Sequence, residues 1–101
     1  MSTALQPRRA ERVPIGAEIG LRRSFAHRCP VELIDLSVHG ARVDVIERVQ
    51  PGERLFVSLP GIETIEAAAR WNSDFVAGVE FARPLHPAVF EMLCSRMRHG
   101  G

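Results

Sequence analysis

The chain has no lysine, no tyrosine, one tryptophan, two cysteines and no long apolar run. Each scarcity removes a class of protein. Cys29 and Cys94 stand far apart with no second pair, which excludes a disulfide framework or a cysteine-built metal knot. Both lie in apolar-rich surroundings and are expected to be buried or half-buried thiols of a reducing cytoplasm. No apolar run approaches the ~18–20 residues that span a bilayer, so membrane insertion is not expected. The N-terminal arginines are not followed by an apolar stretch of the secretory kind, and a cytoplasmic location is expected. Five Phe and one Trp are the only aromatics, and most of them fall on the core phase of their segments. A small barrel that binds nucleic acid needs exposed stacking residues and a broad basic face, whereas the formal net charge here is +1. Nucleic acid is therefore not an expected partner. All thirteen basic residues are Arg; genomic base composition accounts for that as well as function does.

At 101 residues the chain makes one small domain. A domain of that size buries only roughly 60–70% of its extended-chain surface, so nearly every apolar strand face must join one core. Val13, Ile15, Ala17, Ile19 and Leu21 alternate with Pro, Gly and Glu, the period of a half-buried strand. Arg22–His27 is a connection. Val31 and Leu33 share a face of the second strand, with Asp35 next in the alternation; Gly40 permits a tight reversal, and Ala41–Val45 alternates again. Gln50-Pro51-Gly52-Glu53 is a turn, Arg54–Leu59 a fourth strand, and Thr64–Asn72 a fifth with Ile65, Ala67, Ala69 and Trp71 on its core face. Three consecutive alanines there favour helix by propensity, but the alternation and the Asn72-Ser73-Asp74 turn favour strand. Phe75–Phe81 is the last strand. From His86 to Arg98 the period changes: Val89, Phe90, Leu93, Cys94 and Met97 form a helical stripe, with Arg96, Arg98 and His99 at the end the helix dipole makes negative. Six short strands with turns between them predict an all-β fold with one helix: a six-stranded antiparallel barrel over residues 13–98, closed by the C-terminal helix. Residues 1–12 form a polar arm, expected to be flexible.

Two stretches carry chemistry. Arg8-Arg9-Ala10-Glu11-Arg12 places three guanidinium groups within five residues, while Glu47, Glu53, Glu63, Glu66 and Asp74 make the middle of the chain acidic. The positive field is local to the arm. Asp35-Leu36-Ser37-Val38-His39-Gly40 joins the second and third strands. Read alone, the first is a solvated tail and the second a polar turn in which Asp and Ser bond nearby backbone groups. Read together, they suit an anionic ligand with a hydrogen-bonding edge. Arginines fork onto phosphates and lie flat on bases, and a carboxylate accepts the paired N–H donors of guanine.

The ordered pair Arg-x-x-x-Arg (Arg8, Arg12) and Asp-x-Ser-x-x-Gly (Asp35, Ser37, Gly40) resembles the signature of PilZ domains, bacterial receptors for cyclic di-GMP. Trp71, the strand Gly78-Val79-Glu80-Phe81 and the closing helix extend the likeness over roughly residues 6 to 98. The resemblance implies that Arg8 and Arg12 grip phosphates and stack on guanine, with Arg9 between them able to assist. Asp35 accepts from guanine N1 and N2, Ser37 bonds the ligand, and Gly40 lets the backbone approach it. Arg42, Arg70 and Gly78 are further candidates for ligand contact; His39 is read as an exposed turn residue and Trp71 as core. The implied mechanism is an arm that orders around the ligand and relays the signal to a downstream effector protein in motility, adhesion or polysaccharide export, with the outer face of the closing helix as a candidate partner surface. The alternative is an adaptor of the same fold that binds no nucleotide and acts only through protein contacts. Asp35, Ser37 and His39 are triad residue types, but one local turn does not give the relay geometry, so no catalytic residue, metal or cofactor is assigned.

Overall fold

The computed structural model describes residues 11–24 and 26–99. Arg8, Arg9 and most of the expected arm lie outside the described residues. The elements are β1 (Val13–Arg23), β2 (Cys29–Leu36), β3 (Gly40–Asp44), β4 (Arg54–Ser58), β5 (Ile65–Ser73), β6 (Val76–Phe81) and α1 (Pro87–His99). The strands close into one antiparallel barrel in the order β1-β2-β3-β6-β5-β4, with β4 returning to β1. This is the fold expected from the alternation, and every strand has a partner on both sides.

The interior is filled by the inward phase of each strand. Leu33, Leu36, Val43, Leu55 and Val57 are fully buried, with Leu93 of the helix beneath them. Each such side chain contributes roughly 1.5–3 kcal/mol by leaving water. The alanine run of β5 is strand because the barrel needs small residues there. Ala67 lies opposite Leu55 on one side and Phe81 on the other, and Ala69 lies opposite Val79. Large side chains of one strand thus fill the space that small ones leave on the next, and tertiary packing overrides local helix propensity. The helix begins with Pro87, whose missing N–H costs nothing in the first turn. His86 precedes it and accepts from the Ala88 N–H through Nδ1 at 3.0 Å. Phe90, Leu93, Cys94 and Met97 turn inward as one stripe, and α1 packs chiefly on β1.

Three strands carry a bulge, at Pro14/Ala17 in β1, Leu33/Asp35 in β2 and Ala69/Trp71 in β5. An extra residue in one strand reverses the facing of everything after it. In β2 this turns Asp35 to the outer face, away from the phase of Val31 and Leu33, and brings Leu36 inward. In β5 it corrects the expected place of Trp71: the indole is 42% exposed rather than in the core. Phe75 is also exposed and Phe56 half-buried under the Arg22 guanidinium at 4.2 Å, so only Phe81 and Phe90 of the described phenylalanines serve the core. Cys94 is buried as expected, but Cys29, the first residue of β2 at the barrel rim, is exposed. No helix among the described residues is long and apolar enough to cross a membrane.

Candidate functional site

The two bulges at β2 and β5 have a joint effect. Pro14 pairs with Asp35, Asp35 with Arg42, Arg42 with Gly78, and Gly78 with Trp71. Directly paired residues share a face, so these five form one row across the outside of five strands. Asp35 and Trp71 come from distant parts of the chain and reach this row only because each strand gains a residue just before them.

Asp35 is 4% exposed, yet its carboxylate is fully engaged. Oδ1 accepts from Arg12 Nη1 at 2.9 Å, and Oδ2 accepts from Arg42 Nε at 2.7 Å, with Arg42 Nη2 in ion-pair contact at 2.6 Å. Burial alone would raise its pKa. The hydrogen bonds from Arg42 and Arg12, reinforced by their charge, outweigh burial and hold the carboxyl below its ordinary range. Asp35 in turn raises the pKa of Arg42. The group is therefore a carboxylate at neutral pH, held between two guanidinium forks whose outer edges remain in water.

Ser37 and Gly40 shape the turn beside it. Ser37 Oγ accepts from the backbone N–H groups of His39 and Gly40, both at 3.2 Å, and the Ser37 N–H donates to Gly40 O at 2.9 Å. The hydroxyl thus braces its own turn. Gly40 is required by a close approach, not by a left-handed backbone. A Cβ there would lie 2.1 Å from the carbonyl oxygen of Val79 on β6. His39 points outward, as expected, and its carbonyl accepts from the Phe81 N–H at 2.8 Å.

A shallow recess of about 220 Å³ lies over the row, with Arg12, Arg42, Arg70 and Trp71 on its walls and Gly40 and Gly78 in its floor. The indole lies across Gly78, where a Cβ would come within 2.3 Å of Cε2 and Nε1. Arg70 is paired with Glu80 at 2.5 Å on the same wall. The structure thus gathers Arg12, Asp35, Ser37, Gly40, Arg42, Arg70 and Gly78 in one place and adds Trp71 to them. Sequence reasoning missed Trp71 because nothing at Arg70 marks a bulge; the signal available was Gly78, a residue without a side chain opposite an aromatic. Among the described residues no group of three His, Cys, Asp or Glu converges to hold a metal ion. Chemically, the recess offers guanidinium donors, one ionised acceptor and a flat aromatic wall.

Comparison with known proteins agrees with this architecture. Among solved structures, the PlzA protein of Borreliella burgdorferi in complex with c-di-GMP is 20% identical with a TM-score of 0.64, over 91% of this chain and 41% of that one. The inhibitor of motility MotI/DgrA of Bacillus subtilis is 18% identical with a TM-score of 0.62, over 95% and 52%. The chain spans about half or less of the length of these proteins, and at such identities the likeness shows the fold. No curated protein matches the sequence. The model of the PilZ domain matches residues 6–94. That span is most of the chain and holds both the arginine motif and the turn motif, so the chain belongs to the PilZ domain family.

Proposed function

We propose that the protein binds cyclic di-GMP on the outer face of the barrel, along the row from Asp35 to Trp71. The observation that carries this reading is the ionised Asp35 carboxylate, clasped by Arg12 and Arg42 beside an exposed indole. A guanine edge presents two adjacent N–H donors, N1 and N2, and a carboxylate accepts such a pair; on Oδ1 the base would take the place that Arg12 now holds. Binding is then an exchange. The base takes the carboxylate, and Arg12 moves to a phosphate or onto the base face. Arg8 and Arg9 of the arm close over the ligand, and Trp71, with Gly78 leaving room beside it, offers a second stacking wall. Ser37 and Gly40 contribute by giving the turn its shape, and Arg70 borders the phosphate side. An arm that becomes ordered around the ligand changes the surface that an effector protein meets. PlzA, solved in complex with c-di-GMP and sharing this fold over part of its chain, and MotI/DgrA, an inhibitor of motility, support the reading.

The test is calorimetric titration of cyclic di-GMP into the wild-type protein and into Arg8→Ala and Asp35→Ala variants of verified fold. Saturable binding, lost in both variants, is expected, and the stoichiometry states how many nucleotides enter. A folded wild-type protein that binds nothing at high micromolar ligand overturns the proposal and leaves an adaptor acting through protein contacts.

A further inference from the structure

Beside the row, a second part of the barrel surface carries features that nucleotide binding does not use. Ile46 is 90% exposed and Phe75 is 70% exposed. Both line one recess with Val31, Glu32 and Asp44, and the Val45 N–H donates to Phe75 O at 2.7 Å, tying the two segments together. A second recess continues from the first across Val31 and Glu32 to Glu18. Glu18 and Glu32 stand directly opposite each other on β1 and β2. Like charges in that relation repel and destabilise a sheet. Neither they nor Asp44 has an ion-pair partner among the described residues. Arg28, in the preceding loop, packs its stem over Gly20 and makes no ion pair there either.

Water-facing apolar side chains and directly opposed like charges both cost free energy in the free protein, and one kind of partner relieves both. We infer that this face docks a cationic amphipathic segment of a partner protein, an apolar side chain seated against Ile46 and Phe75 and Arg or Lys reaching Glu18, Glu32 and Asp44. The negative field repels anionic lipid and nucleic acid. Barrel closure leaves no open strand edge, so the segment is held by side chains rather than by strand addition. The face also adjoins the row proposed for the nucleotide. Glu32 precedes Asp35 on β2, Asp44 follows Arg42 on β3, and Val76, which pairs with Asp44, precedes Gly78 on β6. Docking itself does not rest on nucleotide binding; only coupling between the two faces does.

The experiment uses three fluorescein-labelled peptides of equal length: an amphipathic helix with Leu on one face and Arg on the other, the same peptide with Glu for Arg, and the same with Ser for Leu. Anisotropy is measured without nucleotide against the wild-type protein, an Ile46→Ser/Phe75→Ser variant and a Glu18→Gln/Glu32→Gln variant, each checked for fold. The Arg/Leu peptide is expected to bind the wild type about ten-fold or more tighter than the other two, a gap of about 1.4 kcal/mol. Each variant should weaken it by a similar factor, and added salt should weaken the wild type more than the Gln variant. Equal binding of all three peptides, or none by any, overturns the inference. So does sedimentation of the wild type as a dimer that Ile46→Ser/Phe75→Ser dissolves, which gives the face to a second copy. Because nucleotide is absent, failure here is distinct from failure of the cyclic di-GMP reading.

Discussion

Replacing Arg42 by Ala should destabilise the barrel even with no ligand present. Asp35 is almost wholly buried, and Arg42 supplies one of the two hydrogen bonds its carboxylate receives, with a further ion-pair contact. Removing one partner of a fully buried ion pair costs ~3–5 kcal/mol. Here Arg12 remains on Oδ1, and the Arg42 side chain is 45% exposed, so water can replace part of what is lost. A cost of about 1.5 kcal/mol follows, or roughly 6–12 °C in Tm for a domain of this size. The effect must also depend on pH. The folded carboxyl titrates below its ordinary value, so its contribution is present above the unfolded pKa and is lost as pH falls through the folded one. In Arg42→Ala burial persists while half the compensation is gone, so the folded pKa moves up and acid unfolding begins at higher pH. The gap between the two proteins should be full near neutrality and shrink toward zero once Asp35 is protonated in both. Thermal unfolding followed by circular dichroism from pH 7 down to pH 3 measures this. A double-mutant cycle with Asp35→Asn isolates the pair, and in that background Arg42→Ala should cost close to nothing. A variant as stable as the wild type at neutral pH, or a gap indifferent to pH, would refute the account of Asp35 as a carboxylate kept ionised by its neighbours.

Gly40→Ala should cost about 1–3 kcal/mol, because its Cβ meets a backbone carbonyl that cannot turn aside; an unchanged urea midpoint would contradict the close strand approach. Gly78→Ala meets only the movable indole of Trp71, so stability should change by less than about 1 kcal/mol. The emission of that single tryptophan should shift, and the affinity for cyclic di-GMP should fall. Leu33→Ala, at a fully buried position of the barrel, should lose about 2–5 kcal/mol, a large share of the roughly 5–15 kcal/mol of a typical domain, and a midpoint near that of the wild type would place Leu33 outside the core.

Period-two alternation made the six strands legible, and the change of period at His86 made the helix so, because both follow from which side chains must leave water. The motif residues could also be picked out by type and spacing. What could not be read was the facing of residues beyond a bulge. Gly16, with a positive φ of 75°, does mark the bulge in β1, but Ile34 and Arg70 are ordinary strand residues and mark nothing. A bulge is settled by pairing with a neighbouring strand, in these cases β3 and β6, and so belongs to the tertiary structure. For that reason alternation alone continues the face of Leu33 to Asp35 and puts Trp71 inside. Gly40 stands out within the motif, yet the close approach that requires it is to β6, far along the chain. The partners of Asp35 were half visible: Arg12 belongs to the recognised motif, whereas Arg42 becomes a partner through its register opposite Asp35.

Closure of the barrel joins β1 to β4, where Leu21 pairs with Val57, and β3 to β6, where Val43 pairs with Ala77. These partners are distant in sequence, so the chain must close long loops before their contacts return any free energy, a topology that folds slowly compared with helical bundles. The row from Asp35 to Trp71 depends on the β3–β6 pairing and has no local precursor: neither hairpin alone brings the carboxylate and the indole together. A molecule bound along that row therefore recognises only chains that have finished folding, and by mass action it shifts the balance away from unfolded ones. By the same linkage, each ten-fold rise of such a ligand above its dissociation constant adds about 1.4 kcal/mol to the stability of the folded barrel.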